Sequence, residues 1–425
     1  MKKFLKVLGA IIAVLIVVIG VFYFVSNESL PIGKQGKEAD ELATKMLSAL
    51  NNEAYQNTEL IEWNFRNKHF YKWHKQDNVV DVSWDENKVI LHTKSPEKSE
   101  VFVNDKKVEN PELISEATAF FNNDSFWLVA PYKVFDPGTE RRIVDYNKKE
   151  ALLITYTSGG TTPGDSYLWI LDSTYVPKSF KMWTKVIPIG GVKATWKDWT
   201  STESGIKLPT KHKLSLFGLG LDLGNVKATN PKADELANKI LAAIKHENYK
   251  KTNFIEWSFA GKRFFKWNKK EHIVDVKWDS IHVILHPNEI EKSTIFINEN
   301  EIKTDTEKLV KKATDIFNND SFWLVAPHKL FENGIIRTIV TEDNKEALKV
   351  TYTIGGSTPG DSYIWILDSN YVPKSWKMFV RTMNMNGVPA TWEDWITTES
   401  GTLLVTNHTF SNRGQLSMGE VSGHN

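Results

Sequence analysis

Short runs in which apolar and polar positions alternate dominate this chain, and turn residues end most of them. Ile61-Glu62-Trp63-Asn64-Phe65 alternates strictly, which is the period of a strand with one buried face. Tyr167-Leu168-Trp169-Ile170-Leu171 is apolar at every position, so that strand needs cover on both faces. Such runs predict strands near 59–66, 69–75, 78–84, 87–92 and 99–104, then near 140–147, 150–157, 166–172, 176–186, 192–202 and 206–217. Two helical patterns interrupt them. Leu42, Met46, Leu47 and Leu50 share one side at helical spacing. A second helix is predicted near 111–122, led by Pro111, a favoured first helical position. Strands in series with short connections imply an antiparallel sheet and an α+β fold.

The N-terminus follows a different pattern. Lys2, Lys3 and Lys6 precede the uncharged run Val7 to Val25, which is 19 residues long. As a helix it would measure about 28 Å, close to the hydrocarbon thickness of roughly 30 Å. A cleaved signal peptide has a shorter apolar stretch and a small-x-small cleavage site. This run ends instead in Phe22-Tyr23-Phe24-Val25. Residues 1–30 therefore read as an uncleaved signal anchor, a single transmembrane helix in the inner membrane. Its basic flank should stay in the cytoplasm and the folded part should lie in the periplasm. The alternative, cleavage near Ser26, also leaves the folded part outside the cytoplasm.

The remainder is one unit written twice. Asn122-Asn123-Asp124-Ser125-Phe126-Trp127-Leu128-Val129-Ala130-Pro131 recurs unchanged at 318–327. Thr162-Pro163-Gly164-Asp165-Ser166-Tyr167 recurs at 358–363. The offset is 194 at Ile61/Ile255 and 196 at Asn122/Asn318, so the copies differ by two residues in the segment between about Phe102 and Asn122, expected in a loop. The period is too long for a solenoid, so each copy is expected to be a domain, 31–226 and 227–425. The linker is expected around the Gly/Asn/Pro-containing stretch 224–231.

Charge and composition narrow the function. Lys+Arg is 53 against 52 Asp+Glu, which argues against a nucleic-acid partner bound through bulk charge. Cysteine is absent, which excludes disulfides, thiolate metal sites and a Cys nucleophile. The run 159–166 has phosphate-loop glycine spacing, but Asp165 stands where that loop needs Lys, and a strand follows. Thr162-Pro163-Gly164-Asp165 reads better as a turn. Of the histidines only His92/His286 and His212/His408 recur, too few ligands for a metal. Among the recurring carboxylates are Asp124/Asp320, Asp165/Asp361 and Asp172/Asp368. A glycosidase would need two of them facing across about 5–9 Å. They are expected instead at turns and helix ends, with Asp124 and Asp320 at a helix stop.

Tryptophan is the unusual feature. Of 16, seven pairs are in register, and Trp183 and Trp376 break the pattern by facing Phe379 and Phe180. A buried indole needs a partner for its N–H.

The Phe126–Pro131 and Thr162–Tyr167 elements, with the helix-then-meander order, resemble a cell-envelope branch of the outer-membrane lipoprotein-sorting carrier superfamily. The resemblance covers roughly 37–226 and 231–421. It implies two tandem incomplete β-barrels of about eleven antiparallel strands each, with helices on the concave face. It also implies a non-catalytic binding protein without a cofactor. Its partner would be a lipid, an acyl chain or an acylated protein. The ligand-facing residues would be Trp63, Trp127, Tyr167 and Trp169 in one copy, and Trp257, Trp323, Tyr363 and Trp365 in the other. The chain departs from those carriers in its anchor, its duplication and its Trp load. The competing expectation is a structural or protein-interaction module whose aromatic cores are solid.

Overall fold

The computed structural model describes residues 2–158, 163–216, 218–304, 306–354, 359–411 and 414–425. The first half of the phosphate-loop-like run, Gly159 to Thr162, and its counterpart Gly355 to Thr358 lie outside the described residues. The chain divides into two compact units, Met1–Thr229 and Asn230–Asn425. The stretch expected to be a linker is therefore partly structured. Lys227–Thr229 pairs with the first strand of the first unit.

Helix α1 (Lys2–Ser26) is a single run of 25 residues. Its described apolar side chains, Phe4, Leu15 and Phe24 among them, are exposed. Among the described residues no helix is long and apolar enough to cross a membrane. The side chains of Leu5, Val7, Ala10, Ala13 and Ile19, inside or beside the expected anchor, lie outside the described set. Immediately after α1 the chain binds the first unit. Glu28 N donates to Gly190 O at 3.0 Å, and the Trp183 indole donates to Glu28 O at 2.8 Å. The Lys181 ammonium lies 2.5 Å from the Glu28 carboxylate.

In the first unit, α2 (Lys37–Ala49) and α3 (Asn52–Asn57) precede a meander. Its strands are β1 (Leu60–Phe65), β2 (His69–His74), β3 (Val79–Trp84), β4 (Asn87–His92), β5 (Glu100–Val103) and β6 (Lys106–Val108). They lie in sequence order, with Lys227–Thr229 added beside β1. Helix α4 (Pro111–Val129) follows. Asn110 caps it by accepting from the backbone N–H groups of Glu112 and Leu113. A second sheet comprises β7 (Thr139–Tyr146), β8 (Lys149–Tyr156), β9 (Ser166–Leu171), β10 (Pro177–Trp183) and β11 (Val192–Thr195).

Every strand pair in both sheets is antiparallel, as expected. Among the described residues the strands form separate sheets and no closed barrel. The long strands expected at 192–202 and 206–217 are instead short pieces. Asp198 (φ 51) turns left-handed inside the first, and Pro209, which has no N–H to donate, falls between the short strands of the second.

Helix α4 departs furthest from expectation. It runs seven residues past the predicted end, through the Asn-Asn-Asp-Ser segment. Those residues are weak helix formers. Tertiary bonds to the Asp124 side chain and the apolar Phe126-Trp127-Leu128 that follow hold the helix. Phe121 faces the first sheet, and Phe126 and Trp127 pack against Tyr167 and Phe180 of the second.

The second unit repeats the order with α5 (Pro231–Ala243), α6 (His246–Lys251) and α7 (Glu307–Val325). Its meander runs from Phe254–Phe259 to Asn300–Ile302, and Ser422–His424 takes the edge position. The two-residue insertion falls in the loop between Ile302 and Glu307, against Val108 to Pro111 in the first unit.

Candidate functional site

The eight aromatic residues expected to face a ligand sit in ring clusters. Trp63 stacks on Tyr71 at 4.5 Å and lies 6.3 Å from Phe121 of α4. Tyr167 lies 4.5 Å from Phe126, and Trp169 lies 5.1 Å from Phe180 and 5.4 Å from Trp196. Trp127 is half-buried, 5.7 Å from Phe180. In the second unit, Trp257 stacks on Phe265 at 4.5 Å, and Trp365 lies 5.2 Å from Trp392. Trp323 and Tyr363 lie 5.0 and 4.7 Å from Trp376. These are ordinary packing distances for rings. Trp169 and Trp365 are 0% exposed. Tyr167, Trp169 and Trp127 thus meet around Phe126 and Phe180, while the ring contacts of Trp63 are to Tyr71, Trp73 and Phe121 elsewhere in the same hydrophobic core.

Several donors in these clusters are orphaned. The indole N–H groups of Trp63, Trp169 and Trp196 have no hydrogen-bond partner among the described residues, and neither does the Tyr156 hydroxyl. The same holds for Trp257, Trp365, Trp392 and Tyr352. A buried donor without an acceptor costs about 1–3 kcal/mol, so recurrence of the set in both units calls for an acceptor.

Asp124 is buried inside α4. Its carboxylate accepts from the Tyr71 hydroxyl at 2.5 Å, lies 2.7 Å from His69 Nδ1, and accepts from the Asn123 amide at 2.8 Å. Burial and the Asp124 charge push the Tyr71 phenol well above its usual range. In the second unit Arg263 replaces His69 and Phe265 replaces Tyr71. Arg263 donates from Nε and Nη2 to both Asp320 oxygens, at 2.6 and 2.9 Å. Burial still pushes Asp320 up to about 6, against the pull of Asn319 and Arg263. Asp172, by contrast, has the expected turn role and accepts from Thr174 and Val176 N–H.

His212 fastens the end of α4 to a strand. Its Nδ1 lies 2.7 Å from Thr195 O and its Nε2 2.7 Å from Trp127 O. His408 repeats this with Thr391 and Trp323 at 2.8 Å. Burial pulls both rings down to about 4, and the carbonyl contacts oppose it. A neutral ring donates from one nitrogen only, so the second carbonyl works against that burial effect. Among the described residues no cluster of three or more His, Asp or Glu could hold a metal.

Each unit has an open groove on the sheet face turned away from its helix. The first, about 360 Å³, is lined by Glu62, Asn64, Phe70, Lys72, Asp81 and others. The second, about 500 Å³, is lined by Glu256, Ser258, Phe264, Lys266 and Asp275 among others. Phe70 and Phe264 are 49% and 52% exposed.

No protein-family model and no curated protein matches this chain. Two solved structures are similar to part of it. One is a DUF1329 family protein from Desulfovibrio piger, with a TM-score of 0.27 and 9% identity, over 46% of this chain and 93% of its own. The other is an outer membrane lipoprotein-sorting protein domain from Vibrio parahaemolyticus, with a TM-score of 0.24 and 11% identity, over 44% and 93%. The second bears the family name that the sequence motifs resemble. At these scores neither likeness carries an argument about what this chain does.

Sequence reasoning missed the outer grooves and the partners of the buried aspartates. Phe70/Phe264 recur in register and carried the first signal. His69/Arg263 do not recur, so the repeat hid the second.

Proposed function

We propose that the chain is a tethered, non-catalytic binding protein of the cell envelope, which works through the outer faces of its two units. The observation that carries this is the pair of open grooves at equivalent positions, set against interiors occupied by rings in contact. The tether rests on the uncharged run behind three lysines and on the 25-residue helix that contains it. It would hold the folded units on the periplasmic side of the inner membrane. Cell fractionation tests this. The full chain should stay with the membrane pellet after carbonate washing, and a phosphatase fused at the C-terminus should be active. Recovery in the cytosolic fraction would refute the tether.

A second reading has its own support. A lipid or acylated protein could enter the aromatic interior if rings moved apart. The orphaned indole donors of Trp169, Trp196, Trp365 and Trp392 would then find acceptors on an ester or amide. Burial at about 0.8 kcal/mol per CH₂ would supply the affinity. Native mass spectrometry of the full chain decides between the two. A bound lipid released on unfolding establishes the interior reading, and its absence leaves the outer faces.

A further inference from the structure

We infer that the outer groove of each unit is a binding site for an uncharged glycan strand, with Phe70 and Phe264 as its stacking platforms. This deepens the outer-face reading above and rests on it.

The two grooves share a set of lining residues at equivalent positions. A shift of 194 converts Glu62, Phe70, Lys72 and Asp81 into Glu256, Phe264, Lys266 and Asp275. The register is identical as well. Glu62 faces Lys72 and Lys72 faces Asp81, as Glu256 faces Lys266 and Lys266 faces Asp275. Other positions that line the first groove have diverged, with Asn64 against Ser258, Ser83 against Lys277 and Lys88 against His282. The phenyl ring stayed although half of it meets water, where it adds little to folding.

The aromatic row continues across the sheet. Phe70 faces Ser83, Ser83 faces Lys88, and Lys88 faces Phe102. The second unit repeats it as Phe264, Lys277, His282 and Phe296. Three strand spacings separate the two rings of a row, about 14 Å. Two apolar platforms with polar groups between them, beside a parallel Glu–Lys–Asp row, suit a chain with alternating C–H faces and hydroxyls.

Charge excludes other occupants. The first groove is lined by two carboxylates and three lysines, the second by three carboxylates and two lysines. The balance changes sign while the ring and the Glu–Lys–Asp row stay. A ligand held by its own charge would not suit both, and an anionic bilayer would be repelled by the second. A protein interface needs a fully desolvated apolar centre, and here the exposed ring is flanked mostly by polar and charged residues.

The test uses the full chain in detergent, with cellotetraose and the tetramer of N-acetylglucosamine as probes. Saturation-transfer NMR should show contact from the sugar C–H protons, and titration calorimetry should report two sites. Phe70→Ala or Phe264→Ala should leave one site. The double variant should weaken binding at least tenfold, and Phe70→Tyr with Phe264→Tyr should keep it. The Ala variants should melt with the parent, since the rings are half-exposed. No transfer to either sugar at millimolar concentration overturns the inference, as does undiminished binding by the double variant. It is also overturned if the double variant only converts a dimer to a monomer in sedimentation, because the face is then a self-interface. The titration does not depend on where the protein resides, so a refuted tether would leave this result standing.

Discussion

The two units share a frame but satisfy the same buried carboxylate with different partners. In the first, Asp124 meets a phenol and an imidazole. In the second, Asp320 meets a guanidinium through two parallel bonds. A guanidinium is permanently charged and matches a carboxylate geometrically. The phenol and the imidazole divide the task between them. A second exchange lies near the start of each second sheet. The Tyr132 hydroxyl lies 2.8 and 2.6 Å from the carbonyls of Leu50 and Lys207. His328 takes its place, 2.9 Å from Leu403 O and stacked on Tyr249 at 4.2 Å. The comparison shows that the frame fixes where a polar group must be satisfied and leaves open which residue does it.

The largest effect should come from removing Arg263, the charged partner of Asp320 among the described residues. Arg263→Met strands Asp320 and should cost about 3–5 kcal/mol in chemical denaturation. The loss should be confined to the second transition if the units unfold separately. An effect below about 1 kcal/mol would mean that Asp320 is not held as a charged pair.

Acid should separate the units next. Burial holds His328 down at about 3, against 6.5 when free. The native second unit therefore binds fewer protons there than its unfolded chain, and stability is lost as pH falls from 6.5 toward 3. Asp320 works in the opposite direction, because a carboxyl held near 6 favours the folded state as pH drops below that value. His328→Tyr installs the first unit's residue and leaves Asp320 in place. Its advantage over the parent protein should grow from pH 6.5 to pH 4, reaching a few kcal/mol. Parallel melting curves across that range would refute the assignment.

A smaller loss is expected at the divided site. His69→Ala leaves Tyr71 and Asn123 on Asp124, so about 1–3 kcal/mol should be lost. If it equals the Arg263→Met loss, the contrast between the units disappears. The smallest effect belongs to Trp183→Phe, which removes one bond to Glu28 O and installs the residue found at Phe379. About 0.5–1.5 kcal/mol should go, from the first unit alone.

The repeat, the antiparallel meanders and the helical positions Leu42 and Met46 were legible because each depends on local period and on identity between copies. What depends on long-range partners was hidden. Asn122-Asn123-Asp124-Ser125 reads as a helix stop by propensity, and only β2 shows why the helix continues through it. The misfit of Trp183 against Phe379 was visible as an anomaly. In the first unit the indole of Trp183 donates to Glu28 O, a bond that a phenyl ring has no N–H to make. The aromatic positions were legible as buried or lining, but alternation alone does not distinguish a filled interior from an open one.

The bonds from Glu28 to Lys181, Trp183 and Gly190 also limit how far the protein can reach. Ser26 ends α1, so only about 7 Å of extended chain separates that helix from its first fastening. With α1 seated in a bilayer, the first unit stands on a stub rather than swinging on a leash. In that arrangement a binding partner would have to pass within a thin layer above the lipid headgroups, carried there by lateral drift.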